Sequence, residues 1–139
     1  MKRLAIGISL ITVLALAAAC GSKTADSGKM IKSAPAGNNL TVSFATSDGV
    51  LKHGNSEFTV SFTDASGKTV DVGAVALTFH MPQMGTMSEM NDAATFTTTN
   101  TPGVYRGRAN IETAGEWQTQ ITYEGSAGKG KVSFAVTAQ

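Results

Sequence analysis

The stretch His80-Met81-Pro82-Gln83-Met84-Gly85-Thr86-Met87-Ser88-Glu89-Met90 holds four of the chain's six methionines, each three residues from the next, with one of two histidines at its front. A thioether is a soft, uncharged donor that favours Cu(I), and imidazole is its common borderline partner. His80, Met81, Met84 and Met87, with Met90 as the outlying member, therefore form a candidate copper site. Three thioethers, or His80 with two or three of them, would hold Cu(I) for transfer to a partner. Thioethers have no proton to lose, so only the His80 contribution would fade on acidification. Two other uses compete: methionine is an adaptable apolar filler that closes the end of a core, and it makes an accommodating contact surface.

Other chemistry finds little support. There is no Gly-x-Ser-x-Gly and no cluster of acids near a histidine, and with only two histidines a hydrolytic zinc site would also need carboxylates that the spacing does not supply. His53 lies in a turn-rich loop, where a lone histidine is usually solvated. An enzyme is not expected.

The elements that must position the methionines are strands. Charged residues make up only 15%, Gly numbers 15, and Thr, Ser and Val are abundant. Period-two alternation marks Leu40, Val42, Phe44; Phe58, Val60, Phe62; Val75, Leu77, Phe79; Trp117, Thr119, Ile121, Tyr123; and Val132, Phe134, Val136. The Thr-rich run Ala94 to Thr99 and the segment Val104 to Ile111 complete about seven strands, separated by Gly, Asn and Asp turns. Arg106 and Arg108 share one solvated face. The expected fold is all-β: an immunoglobulin-like β-sandwich, with a small barrel as the alternative. His80 ends one strand, off its most apolar face, and Pro82 blocks further pairing. The methionines should then leave the sheet in a loop. A spacing of three puts all four on one face in polyproline II or 3₁₀ geometry, spreads them over half an α-helix, and splits them in a straight strand.

The first residues belong to no fold. Lys2-Arg3, the apolar run Leu4 to Leu16 and Ala17-Ala18-Ala19 form an export signal, and Cys20, the only cysteine, follows at once. Leu16-Ala17-Ala18-Ala19-Cys20 resembles the bacterial lipoprotein signal, which implies a lipidated Cys20 as the new N-terminus. Each buried acyl methylene adds ~0.8 kcal/mol, so several chains make a lasting anchor. Gly21-Ser22 carries no acidic retention signal, which by the same resemblance implies the periplasmic side of the outer membrane where the cell has one. Residues 21–37 are small and polar apart from Met30-Ile31 and are expected to be a flexible tether. The expected division is a signal peptide over 1–19, Cys20 and linker over 20–37, and the domain over 38–139. Loss of Lys2 and Arg3 leaves nine basic against ten acidic residues, no footprint for nucleic acid.

Gly54-Asn55 with Phe58 and Val60, Asp64 and Gly67, Met81-Pro82 with Met84-Gly85, Gly103-Val104-Tyr105, and Gly115-Glu116-Trp117 together resemble the YtkA-like and FixH-like domain of bacterial envelope proteins, over about residues 38 to 137. The resemblance implies an immunoglobulin-like sandwich outside the cytoplasmic membrane, in the setting of copper handling, copper efflux or cytochrome oxidase assembly. Its Met-Pro motif falls on Met81, Pro82 and Met84. Members often carry a further methionine before the Gly-x-Trp strand, where this chain has Thr113-Ala114. The expected function is an envelope-anchored lipoprotein that binds Cu(I) through the methionine loop. The alternative is a metal-free assembly module that contacts an efflux or oxidase partner through the same loop.

Overall fold

A computed structural model describes residues 28–139. The expected signal peptide, Cys20 and the first part of the expected tether lie outside them. The described residues form nine strands and no helix: β1 (Lys29–Gly37), β2 (Leu40–Thr46), β3 (Gly54–Thr63), β4 (Ala74–Met81), β5 (Met90–Ala93), β6 (Thr95–Thr98), β7 (Val104–Ile111), β8 (Gly115–Gly125) and β9 (Gly128–Ala138). They build two antiparallel sheets, ordered β1-β2-β3-β7-β6 and β5-β4-β8-β9. Leaving β1 aside, this is the A-B-E-D and C′-C-F-G arrangement of an immunoglobulin-like sandwich. The expected fold class holds, with two strands more than the alternation marked.

The alternating apolar residues supply the core. Val42, Phe44, Val60, Phe62, Phe79, Ile111, Trp117 and Ile121 are fully enclosed between the sheets. Phe44 joins the layers by meeting Phe79 and Phe134 of the other sheet edgewise or tilted, each at 6.1 Å between ring centroids, and it lies tilted against Phe58 of its own sheet at 4.9 Å. Gly107 is required here. Phe58 is its cross-strand partner and lies flat over it, so any β-carbon would collide with the ring. Among the described residues no disulfide joins the sheets, and this apolar core packs between them.

The two sides of the sandwich close differently. On one side a single stretch changes sheets: β5 pairs with β4, Ala94 donates its N–H to the Leu77 carbonyl at 2.9 Å, and β6 then pairs with β7. On the other side β1 lies beside β9, and side chains stitch this edge to β8 and β9. The Tyr123 hydroxyl donates to the Ala36 carbonyl at 2.8 Å, and Asn38 Nδ2 donates to the Lys129 carbonyl at 3.2 Å.

β1 corrects the expected tether. Residues 29–37 are an edge strand of the domain, joined to β2 by Asn38 and Asn39, both at positive φ (53° and 58°) as a type I′ hairpin turn requires. A strand held by ladder hydrogen bonds at a sheet edge needs no apolar face, which is why its composition resembled a linker. Pro35 is tolerated because the ladder slips between Pro35 and Gly37. Ile31 packs against the core, while Met30 is exposed.

Candidate metal centre at the methionine hairpin

The methionines do not form a loop that abandons the sheet. β4 pairs His80 with Asn91 and Met81 with Met90. Pairing lapses across Pro82, Gln83, Ser88 and Glu89, as the missing proline donor demands, and resumes at Met84 and Met87. Met84 and Met87 exchange both backbone hydrogen bonds, at 3.2 and 2.9 Å, around the two-residue turn Gly85-Thr86. Gly85 sits at φ 56° while Thr86 is not at positive φ, the combination of a type II′ turn, in which glycine takes the first central position. The spacing of three thus reflects mirror positions about one turn. His80 and Asn91, Met81 and Met90, and Met84 and Met87 all share the centre between Gly85 and Thr86.

This register divides the methionines into two pairs. Met81 is buried, and its methyl group lies against Gly115, where a β-carbon would approach to 3.2 Å. Its partner Met90 is half-buried and packs on the same core. The inner pair therefore caps the end of the sandwich. Met84 and Met87 face solvent, 58% and 48% exposed. Directly opposed residues in an antiparallel ladder hold their β-carbons about 5 Å apart, within reach of one ion for two thioethers. Met81, expected among the ligands, is thus separated from the exposed pair and joined to Met90.

His80 faces outward on the opposite side of β4 from Met81 and belongs to a short chain of polar groups. Its Nδ1 lies 2.8 Å from Asn91 Oδ1, and Asn91 Nδ2 donates to Glu89 Oε1 at 3.1 Å. Glu89 Oε1 is itself 3.7 Å from His80 Nδ1. A carboxylate accepts only, so it selects the Asn91 rotamer that turns Oδ1 toward the histidine. An amide oxygen also only accepts, so the imidazole must carry its proton on Nδ1. In the neutral ring Nε2 is left with its lone pair, the arrangement seen when a polar neighbour orients a metal-binding histidine.

Asn91 and Glu89 had no signal of their own in the sequence. The mirror symmetry about Gly85-Thr86 would have found Asn91, since it stands as far after the turn as His80 stands before it. Among the described residues, no three of His, Cys, Asp and Glu gather as a metal site. His53 is elsewhere engaged: its N–H donates to the Gln139 carbonyl at 2.9 Å, and its ring lies 3.4 Å from the same oxygen.

Along an extended strand His80 and Met84 are about 13 Å apart. The unpaired residues 82–83 and 88–89 are where the hairpin would have to curl to bring the imidazole to the two sulfurs. Thr113 and Ala114, standing where the resemblance implies a further methionine, border this end. Thr113 instead uses its carbonyl to accept the Trp117 indole N–H at 3.0 Å.

No curated protein and no solved structure matches the chain significantly. A family model described as YtkA-like matches residues 35–122, from within β1 to within β8, and so includes the whole methionine hairpin. Spanning more than half of the chain, that match establishes that the protein belongs to the YtkA-like family.

Proposed function

We propose that this protein is a lipid-anchored envelope protein that binds Cu(I) at the tip of the methionine hairpin, for copper handling, efflux or delivery. The observation that carries the reading is the exposed, directly opposed pair Met84 and Met87. Two large apolar side chains facing water side by side cost solvation that a structural cap would avoid, and the inner pair already provides the cap. Two thioethers satisfy the soft, low coordination that Cu(I) accepts, and His80 Nε2 is the candidate third donor. The anchor rests on Cys20, the only cysteine, placed directly after a small-residue cleavage site. Copper efflux or cytochrome oxidase components are the partners that the resemblance implies.

Titration of the reduced protein with Cu(I) against a colorimetric chelator tests this. The double change Met84→Leu and Met87→Leu should weaken binding by about 100-fold or more, whereas Met81→Leu with Met90→Leu should leave affinity nearly unchanged and alter thermal stability. Asn91→Leu, which frees the His80 ring, should cost about 10-fold. An outer-pair variant that titrates like the parent protein would sink the copper reading. It would favour the hairpin as a metal-free contact for an assembly partner.

A further inference from the structure

The path by which the chain enters the domain fixes which end of the sandwich the anchor can reach. β1 begins at Lys29, paired with Thr46, and Gly28 sits against the backbone of Thr46 and Ser47. The next segment, from Ser47, leads to Leu51, which bridges Ala138 at the end of β9, and Ala138 pairs with Gly115. Gly115 is the residue that touches the Met81 methyl. β3 starts at this end with Gly54, and β7 finishes here with Ile111. The chain therefore enters on the methionine half of the sandwich. The opposite end carries the Asn38-Asn39, Asp64–Gly67 and Ser126-Ala127 turns.

With β1 part of the domain, Cys20 is separated from it by eight peptide steps to Gly28. Even fully extended these span at most about 27 Å. A linker running to residue 37 would reach about 58 Å. The sandwich is itself about 35 Å tall along β9. A leash shorter than the body it holds, attached on one half of that body, cannot present both ends equally to the surface.

We infer that the methionine hairpin is held facing the bilayer that carries Cys20, so that it meets proteins embedded in that same bilayer, while the Ser126 end faces away. This rests on the lipid-anchor reading above and is independent of which metal is bound. The leash limits the hairpin to a shell about 30 Å deep over the membrane. A carrier moving freely between compartments would need no such restraint.

Energy transfer to the membrane tests the orientation in the full acylated chain. Acylation consumes the Cys20 thiol, so Thr86→Cys at the hairpin tip, or Ser126→Cys at the opposite tip, offers one site for a donor dye. Both positions are exposed turn residues. The protein is reconstituted in vesicles of phosphatidylethanolamine and phosphatidylglycerol containing an acceptor-labelled lipid. Transfer should be roughly twofold more efficient from position 86 than from position 126, and inserting twenty Gly/Ser residues before Gly28 should erase the difference. Equal transfer from both tips, or stronger transfer from position 126, overturns the orientation alone. A chain whose mass shows no acyl groups overturns the anchor reading and this inference with it.

Discussion

At the scale of single residues, the four methionines divide between two uses that their spacing could not separate. Met81 is filler at the end of the core and Met84 is exposed, although they are only three positions apart in one arm of the hairpin. The same contrast of environments makes Thr119 conspicuous. Its hydroxyl is fully buried on the inner face of β8, between its cross-strand neighbours Phe79 and Phe134, and has no hydrogen-bond partner. Burying a hydroxyl without a partner costs about 1–3 kcal/mol. Valine has nearly the same shape and no such cost. Thr119→Val should raise the urea midpoint, with a gain of about 1 kcal/mol and an unchanged slope. A loss of stability would mean that the hydroxyl has a partner, such as an enclosed water. The site lies on the core side of the sheet, so the Cu(I) titration proposed for the hairpin should not change.

Among the elements, legibility followed the source of each strand's stability. β2, β3, β4, β8 and β9 bury one face, so their apolar residues alternate and the period shows in the sequence. β1 and β5 escaped for different reasons. β1 is held by ladder bonds and by Tyr123, which leave no apolar period to read, and β5, Met90-Asn91-Asp92-Ala93, is too short and polar to display one. The hairpin was hidden because mirror symmetry across a turn is not a period at all. One further element is secured by a lone phenol: Tyr105 on β7 holds the segment before β4. Its hydroxyl accepts the Val72 N–H at 3.2 Å and lies 3.1 Å from Asp71 Oδ1 and 3.2 Å from the Gly73 carbonyl, either of which can take its proton. Burial pushes this phenol above the usual tyrosine value; the Val72 N–H works against the rise, and the Asp71 carboxylate adds to it. A pKa raised by folding gives stability that is complete below the unfolded value and is lost as pH climbs through the folded one. Stability should therefore hold to about pH 9 and decline above about pH 10. Tyr105→Phe should be less stable near neutrality by about 1–2 kcal/mol, since Val72 keeps a buried, unpartnered N–H, but should show a shallower alkaline decline. Urea midpoints of both proteins between pH 7 and 11 decide the matter, and parallel curves would assign the alkaline loss to another group.

For the whole molecule, the position of the domain's beginning matters most, because it determines both how the sandwich closes and how far it stands from the anchor proposed at Cys20. The YtkA-like match begins at residue 35, and composition alone suggested 38, yet the ladder begins at Lys29. A protein begun at residue 38 would lose the whole β1–β2 ladder and leave the β2 edge bare. Leu40, Val42 and Phe44 would then lie on an exposed edge strand, the arrangement that invites pairing between copies. Tyr123 would also lose the Ala36 carbonyl that takes its proton. Each net hydrogen bond contributes about 1 kcal/mol, and the ordering entropy of an edge strand offsets part of the sum. The truncated protein should thus be less stable by about 3 kcal/mol and should self-associate at concentrations where a protein begun at Gly28 stays monomeric. Urea denaturation and sedimentation of the two side by side provide the check. If both unfold at the same midpoint as monomers, residues 29–37 contribute no stability, the domain boundary moves back to 38, and the orientation inferred for the hairpin loses its structural basis.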